Sequence, residues 1–291
     1  MAVDINVYSH SNPNGGPNPL HSSCVGATPL DAGLALDAVM VGGGLGPPLG
    51  PPRQHTLTYP QVPADPMLAL HAVQNRYHNC GRCHLSETRN KITYVRGNVY
   101  SPIVLLGDGP CQSANTVGQP FSGTDGNLQN EILVQVGIHP VSDVCWMQLL
   151  GCRAAGHFQT DRAPTDTELV ACSERTTMLL RAIRPRVVVC LGRDATRYFF
   201  DEPPELWGWK MFTPLDSPDD WVMVGYAHHP SYLVRVIGAA PMYREYAASK
   251  SFYGILLDRM PSLTKVTGWQ FMPHYVEKTL NGRITVGGVS S

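Results

Sequence analysis

The sequence lacks any uninterrupted apolar run of about 18 residues, so it offers no membrane-spanning helix. It also lacks a basic start followed by an apolar stretch, so the expectation is a chain without a secretory signal that works in the cytoplasm. Neither charge is in excess: 22 Lys and Arg stand against 23 Asp and Glu, a formal net charge of −1. Bulk attraction to nucleic acid is therefore missing, and any such binding needs a local basic patch. Cysteine is sparse as well. Eight in 291 residues cannot build a disulfide scaffold, and without a secretion signal they read as thiols or metal ligands. What the chain does have is 28 Gly, 25 Pro and a hydrophobic fraction of 43 %, enough for a real core and against wholesale disorder.

The prolines and glycines are unevenly placed. Residues 1–66 hold 11 Pro and 9 Gly but only five charged side chains, Asp4, Asp31, Asp37, Arg53 and Asp65. Stretches such as Gly42–Gly44 and Pro47-Pro48 sustain neither a helix nor a central strand, so this segment reads as a flexible or draped arm. From residue 67 to 260 the text becomes that of a folded domain. Four short apolar runs read as buried strands: Ile103–Leu106, Val144–Leu150, Val187–Leu191 and Trp221–Tyr226. Between and after them, helical spacing appears at Asn127–Val136, Asp166–Ile183, Arg193–Phe200 and Pro241–Leu257. Alternating strand and helix predicts a mostly parallel sheet covered on both faces. Function is then expected in the loops after the strands: Gly107–Gly123, Gly151–Pro164, Gly192–Asp194 and His228–Arg235. Residues 261–291 form a tail, in which Leu280-Asn281-Gly282-Arg283 predicts a turn between two strands at Tyr275–Leu280 and Arg283–Val286.

Cys80-Gly81-Arg82-Cys83 places two thiols in one short turn, a pattern shared by zinc, redox and iron–sulfur sites. A zinc ribbon needs a second such pair, and there is none. Cys152 follows the second strand and Cys172 lies in the next helix, so four thiolates from three elements are on offer, which suits a cubane cluster. The same two residues also fit small buried hydrophobes. Cys24, Cys111, Cys145 and Cys190 read as bystanders, the last two as strand core.

In chain order, several segments converge: Cys80-Gly-Arg-Cys-His-Leu, Leu106-Gly-Asp-Gly-Pro-Cys, Gly118-Gln-Pro-Phe-Ser-Gly, Gly151-Cys-Arg, Ala171-Cys, Arg184-Pro-Arg-Val-Val-Val-Cys-Leu-Gly-Arg and His229-Pro-Ser-Tyr-Leu-Val-Arg. Together they resemble the uracil-DNA glycosylase superfamily, most closely its iron–sulfur families 4 and 5, over about Cys80 to Met260. The resemblance implies a three-layer α/β/α sandwich around a four-stranded parallel sheet. It further implies a 4Fe–4S cluster on Cys80, Cys83, Cys152 and Cys172, and excision of uracil or a modified pyrimidine from single- or double-stranded DNA.

Such excision passes through an oxocarbenium-like sugar and a departing base anion, after the nucleotide has left the stack. The resemblance assigns the parts. Phe121 stacks on the base, Gly107, Gly109 and Pro110 shape a tight turn beside it, and His229 stabilises the anion. Family 4 has Glu where Asp108 stands, so Asp108 is the expected water-positioning carboxylate. The second acid of that loop is replaced by Ala114 and Asn115. The family 5 carboxylate position is Thr124, with Asp125 one residue later. The base-reading Asn becomes Gln148. Beyond His229, the expected DNA contacts are Ser231, Leu233 and Arg235, with Tyr232 and Val234 between them, an apolar wedge flanked by a cation. Arg181, Arg184, Arg186 and Arg193 are further phosphate candidates. The altered reading groups, the arm and the tail also fit a second expectation: a non-catalytic DNA-binding or assembly protein, with a protein partner on residues 1–66 or 261–291.

Overall fold

The computed structural model describes residues 62–213, 220–236 and 242–266. The first 61 residues of the arm and the expected hairpin at Tyr275–Val286 lie outside them. The chain runs through α1 (Pro66–Tyr77), α2 (Leu85–Thr88), β1 (Val95–Gly97), β2 (Ile103–Gly107), α3 (Gln112–Val117), α4 (Thr124–Gln135) and β3 (Cys145–Gln148). It continues with α5 (Asp166–Ile183), β4 (Val187–Leu191), α6 (Arg193–Arg197), β5 (Trp209–Phe212), β6 (Val222–Ala227), α7 (Pro230–Val236) and α8 (Met242–Arg259).

The strands form one sheet in the order β1-β3-β2-β4-β6-β5. The central four, β3, β2, β4 and β6, are mutually parallel and are the four read from the sequence. Among the described residues the sheet has six strands rather than four, because short antiparallel strands flank the central four on both sides. These edges carry Arg96 and Lys210 and no continuous apolar run, which hides them from a search for buried strands.

Strand periodicity builds the layers. Val104, Leu106, Val188 and Cys190 face one way and pack with Leu70 and Val73 of α1 and Leu179, Leu180 and Ile183 of α5. Ile103, Leu105, Val187 and Val189 face the other way, onto Ile132 and Leu133 of α4 and Phe252 and Leu256 of α8. That is the three-layer α/β/α sandwich. Local chemistry fixes its helices. Asp65 caps α1 by accepting from the N–H groups of Met67 and Leu68. Thr165 and Glu168 form a reciprocal capping box that starts α5 at Asp166. The helix stops at Arg184, left-handed at φ 53°, just before Pro185.

The packed body continues through Val266, which is 2 % exposed. Lys265 Nζ donates to the carbonyls of Val99 and Ile183, at 2.8 and 2.6 Å, tying this segment to the sandwich.

Candidate active site

The sheet order reverses at β2 and β4: the chain moves from β2 to β3 on one side, then to β4 and β6 on the other. A crevice is expected outside the carboxyl ends there. A cleft of about 350 Å³ opens at that place, a size that takes a small organic group. All four loops singled out in the sequence contribute walls: Asp108 to Cys111 after β2, Ala154 and Asp161 to Pro164 after β3, Gly192 to Asp194 after β4, and His228 to Arg235 after β6.

Asp108 leads the first loop. Its Oδ1 accepts from the Ala195 N–H at 3.1 Å, which leaves Oδ2 toward Gly192. Gly192 sits at φ 101°, and a Cβ there would lie 3.0 Å from Asp108 Oδ2, so glycine serves both the backbone and the carboxylate. Burial pushes the Asp108 carboxyl up to about 8, Asp194 adds repulsion, and the Ala195 N–H only partly offsets both.

His229 stands at the start of α7. The Ser231 backbone N–H donates to its Nδ1 at 3.2 Å, and the Ser231 hydroxyl lies 2.8 Å from the same nitrogen. With Nδ1 accepting, the neutral ring carries its proton on Nε2. Burial lowers the imidazole's pKa and Arg235 lowers it further, against the opposing pull of Asp125. His229 is therefore a neutral donor in a protein at pH 7.

Asp125, in the first turn of α4, is 3 % exposed, lines the cleft, and leaves Oδ1 without a hydrogen-bond partner. Cys111, read as a bystander, also lines the cleft, as do Asp161, Arg162, Asp194, Tyr226 and His228, which sequence reasoning did not single out. Their signal was positional: each ends a strand or follows one.

Other expected site residues lie elsewhere. Phe121 is 1 % exposed at φ 53°, its ring 5.4 Å from Trp146 and 5.9 Å from His229, and it does not line the open cleft. Gly107 lies beneath it. A Cβ at Gly107 would fall 2.4 Å from Phe121 Cζ, so this glycine makes room for the ring rather than for a ligand. Gln148 is turned inward too. Its Nε2 donates to the Gly109 carbonyl at 2.7 Å and its Oε1 accepts from Thr93 Oγ1 at 3.5 Å, so its amide holds the Gly109–Pro110 turn. Leu233 is 3 % exposed within the core beside α8, not in the open as a wedge. Ser231 and Arg235 line the cleft, with Arg235 exposed. Arg184 and Arg186 sit at the amino end of β4, the opposite end of the sheet. Arg184 donates to the Ala64 carbonyl, and the buried Arg186 to the carbonyls of Trp221 and Thr264. Of that cationic group, Arg193 alone lines the cleft.

Away from the cleft, Cys80, Cys83, Cys152 and Cys172 border one cavity together with Leu85, Leu150 and Ala171. All four are free thiols. Arg89 Nη1 lies 3.8 Å from Cys152 Sγ, a hydrogen bond of the kind that tunes cluster sulfurs. Burial raises Cys83, and it pushes Cys152 up to about 11. Four thiols from three elements, lined by Leu85, Leu150 and Ala171 with Arg82 and Arg89 beside them, fit four-thiolate ligation of a cluster. Among the described residues no group of three or more His, Cys, Asp or Glu is arranged for a single metal ion. Cys145 and Cys190 are strand core, fully buried, and Cys24 lies outside the described residues. Among the described residues no helix is long and apolar enough to cross a membrane.

Residues 95–253 match the family model described as "Uracil DNA glycosylase superfamily". A protein of Archaeoglobus fulgidus named Type-4 uracil-DNA glycosylase is 33 % identical over 135 residues, 46 % of this chain and 65 % of its own length. A protein of the same name from Thermotoga maritima is 32 % identical over 169 residues, 57 % of this chain and 83 % of its own length. A third, from Saccharolobus solfataricus, is 28 % identical over 131 residues, 45 % of this chain and 59 % of its own.

Proposed function

The chain belongs to the uracil DNA glycosylase superfamily, and on that footing we propose that its cleft hydrolyses the bond between a pyrimidine base, most simply uracil, and the deoxyribose of DNA. The observation that carries this reading is the pairing in one cleft of a neutral His229 with a half-buried Asp108 whose carboxyl is pushed up. A departing base anion needs a donor that does not first give up its proton to water, and a half-buried imidazole fixed through Nδ1 supplies one at Nε2. The sugar needs a water. Asp108, with Oδ1 engaged by Ala195 and Oδ2 open, is the group that orients it, and a carboxyl near 8 is close to the operating pH of a general base. Asp125 supplies negative potential that favours the oxocarbenium-like sugar. Gly109 and Pro110 shape the wall beside the base, and Phe121 and Gln148 support that wall from behind. Arg193 and Arg235 meet phosphate at the rim.

In this reading Cys80, Cys83, Cys152 and Cys172 hold a 4Fe–4S cluster that clasps the α1–α2 turn, the exit of β3 and α5. Bound there, the cluster contributes a structural clasp and no step of the hydrolysis. DNA is the partner of the cleft, and residues 1–66 and the tail after the packed body are the segments left for a protein partner.

A second assignment of the water rests on one observation, the unpartnered Oδ1 of buried Asp125. Paired variants separate the two. Asp108→Asn keeps shape and removes charge, so single-turnover cleavage of a uracil-containing oligonucleotide slows about 10²-fold or more while DNA binding holds. Asp125→Asn slows it less. The reverse ranking transfers the water to Asp125.

A further inference from the structure

Residues 153–162, between β3 and α5, form a tight stem whose tip carries one apolar side chain, Phe158. Ala155 pairs with Asp161, the Gly156 N–H donates to the Thr160 carbonyl at 2.7 Å, and the Arg162 N–H donates to the Ala154 carbonyl at 3.1 Å. Arg153, only 5 % exposed, crosses the stem. Its guanidinium donates to Asp161 Oδ1, to Gln159 Oε1 and to the Gln159 carbonyl. At the tip stand Phe158 and Gln159, at φ 55° and 57°, in the left-handed region that a bulky L residue rarely adopts. Phe158 is 99 % exposed, the most exposed large apolar side chain among the described residues.

Two unfavourable choices are thus combined at one position: a strained backbone, and an aromatic ring held in water. Both persist because the Arg153-braced stem over-determines them, the pattern expected where a side chain must be presented outward. The stem's feet, Ala154 and Asp161–Pro164, are walls of the cleft. Asp161 is three residues along from Phe158, at most about 11 Å of chain. At a rise of about 3.4 Å per nucleotide, that is a reach of roughly three base steps from a nucleotide held in the cleft. A nucleotide leaving the stack opens a gap that an apolar wedge can fill. Leu233, the side chain expected there, is committed to the core.

We propose that Phe158 is that wedge: it enters the base stack of double-stranded DNA beside the nucleotide turned into the cleft. The proposal rests on the glycosylase reading of the cleft. It favours DNA over a protein partner because the rim beside the stem carries the exposed guanidiniums of Arg193 and Arg235.

The test uses the full-length protein with Phe158→Ala and the conservative Phe158→Leu. Single-turnover cleavage of uracil is measured in matched single- and double-stranded oligonucleotides. In parallel, the emission of a fluorescent purine analogue placed next to a non-cleavable uracil nucleotide is followed on binding. Phe158→Ala should lower the double-strand to single-strand rate ratio about tenfold or more, because only the duplex must be opened, and Phe158→Leu should recover most of it. The analogue's emission should rise with wild-type protein and fail to rise with Phe158→Ala. An unchanged ratio together with an unchanged emission rise overturns the wedge and leaves the ring as a contact for something other than DNA. If the wild type cleaves neither oligonucleotide, the glycosylase reading falls, and the emission arm alone still decides whether Phe158 enters the stack.

Discussion

Ser231 fixes His229: its backbone N–H donates to Nδ1 at 3.2 Å, and its hydroxyl lies 2.8 Å from the same atom. This leaves Nε2 as the protonated nitrogen of a neutral ring that lines the cleft. His229→Ala should therefore cost about 10²–10³-fold in single-turnover rate, the range for losing one preorganised donor to a developing anion. Ser231→Ala keeps the backbone N–H and should cost far less. Equal losses in the two variants would mean that the hydroxyl, not the backbone, sets the tautomer.

The Asp108 carboxyl gives the account a pH signature. Burial holds it at about 8, and the base is its ionised form. The single-turnover rate should climb about tenfold per pH unit below that value and level off above it. Stability should run the other way. A carboxyl whose folded pKa exceeds the unfolded value of 3.8 stabilises the fold while protonated, and that contribution declines as pH rises from about 4 to about 8. The melting temperature of the wild type should fall relative to Asp108→Asn across this window. A flat difference would show that Asp108 is ionised throughout.

Gln148 tests whether the base edge is read from the second central strand. Its amide donates to Gly109 and accepts from Thr93, so Gln148→Ala should leave the Gly109 carbonyl unpaired and destabilise the protein by about 1–3 kcal/mol. The ranking of uracil against 5-substituted uracils should stay the same. A reordered ranking in a substrate panel would place that amide on the base.

For the cluster, anaerobically purified protein should be brown and contain iron with acid-labile sulfide. Cys152→Ser or Cys172→Ser should bleach it and lower the melting temperature, since either change removes one arm of a clasp joining β3 to α5. Stoichiometric zinc without iron in the wild type would contradict the assignment.

Much of this architecture was legible because both faces of the central strands are buried. Val187–Leu191 reads as an unbroken apolar run, and the helical spacing over Asp166–Ile183 coincides with α5. The loops after the strands likewise led to the cleft, because a parallel sheet gathers their carboxyl ends. Side-chain direction was not legible. Leu233 and Phe158 are both apolar residues in loops that follow strands, yet α7 turns Leu233 into the core while a left-handed turn holds Phe158 in water. The resemblance puts Gln148 at the base-reading Asn, facing a ligand, but Thr93 and Gly109, from two separate segments, draw its amide inward. Tertiary partners of that kind leave no periodic trace in the chain.

The most direct measurement of the central claim is strand breakage at uracil. Wild-type protein is incubated with an end-labelled single-stranded oligonucleotide containing one uracil, and abasic sites are then cleaved with alkali. The account predicts breakage at the uracil position and none in the matched thymine oligonucleotide. An intact uracil strand that the protein nevertheless binds would contradict it, and would make the cleft that of a DNA-binding protein on a glycosylase fold.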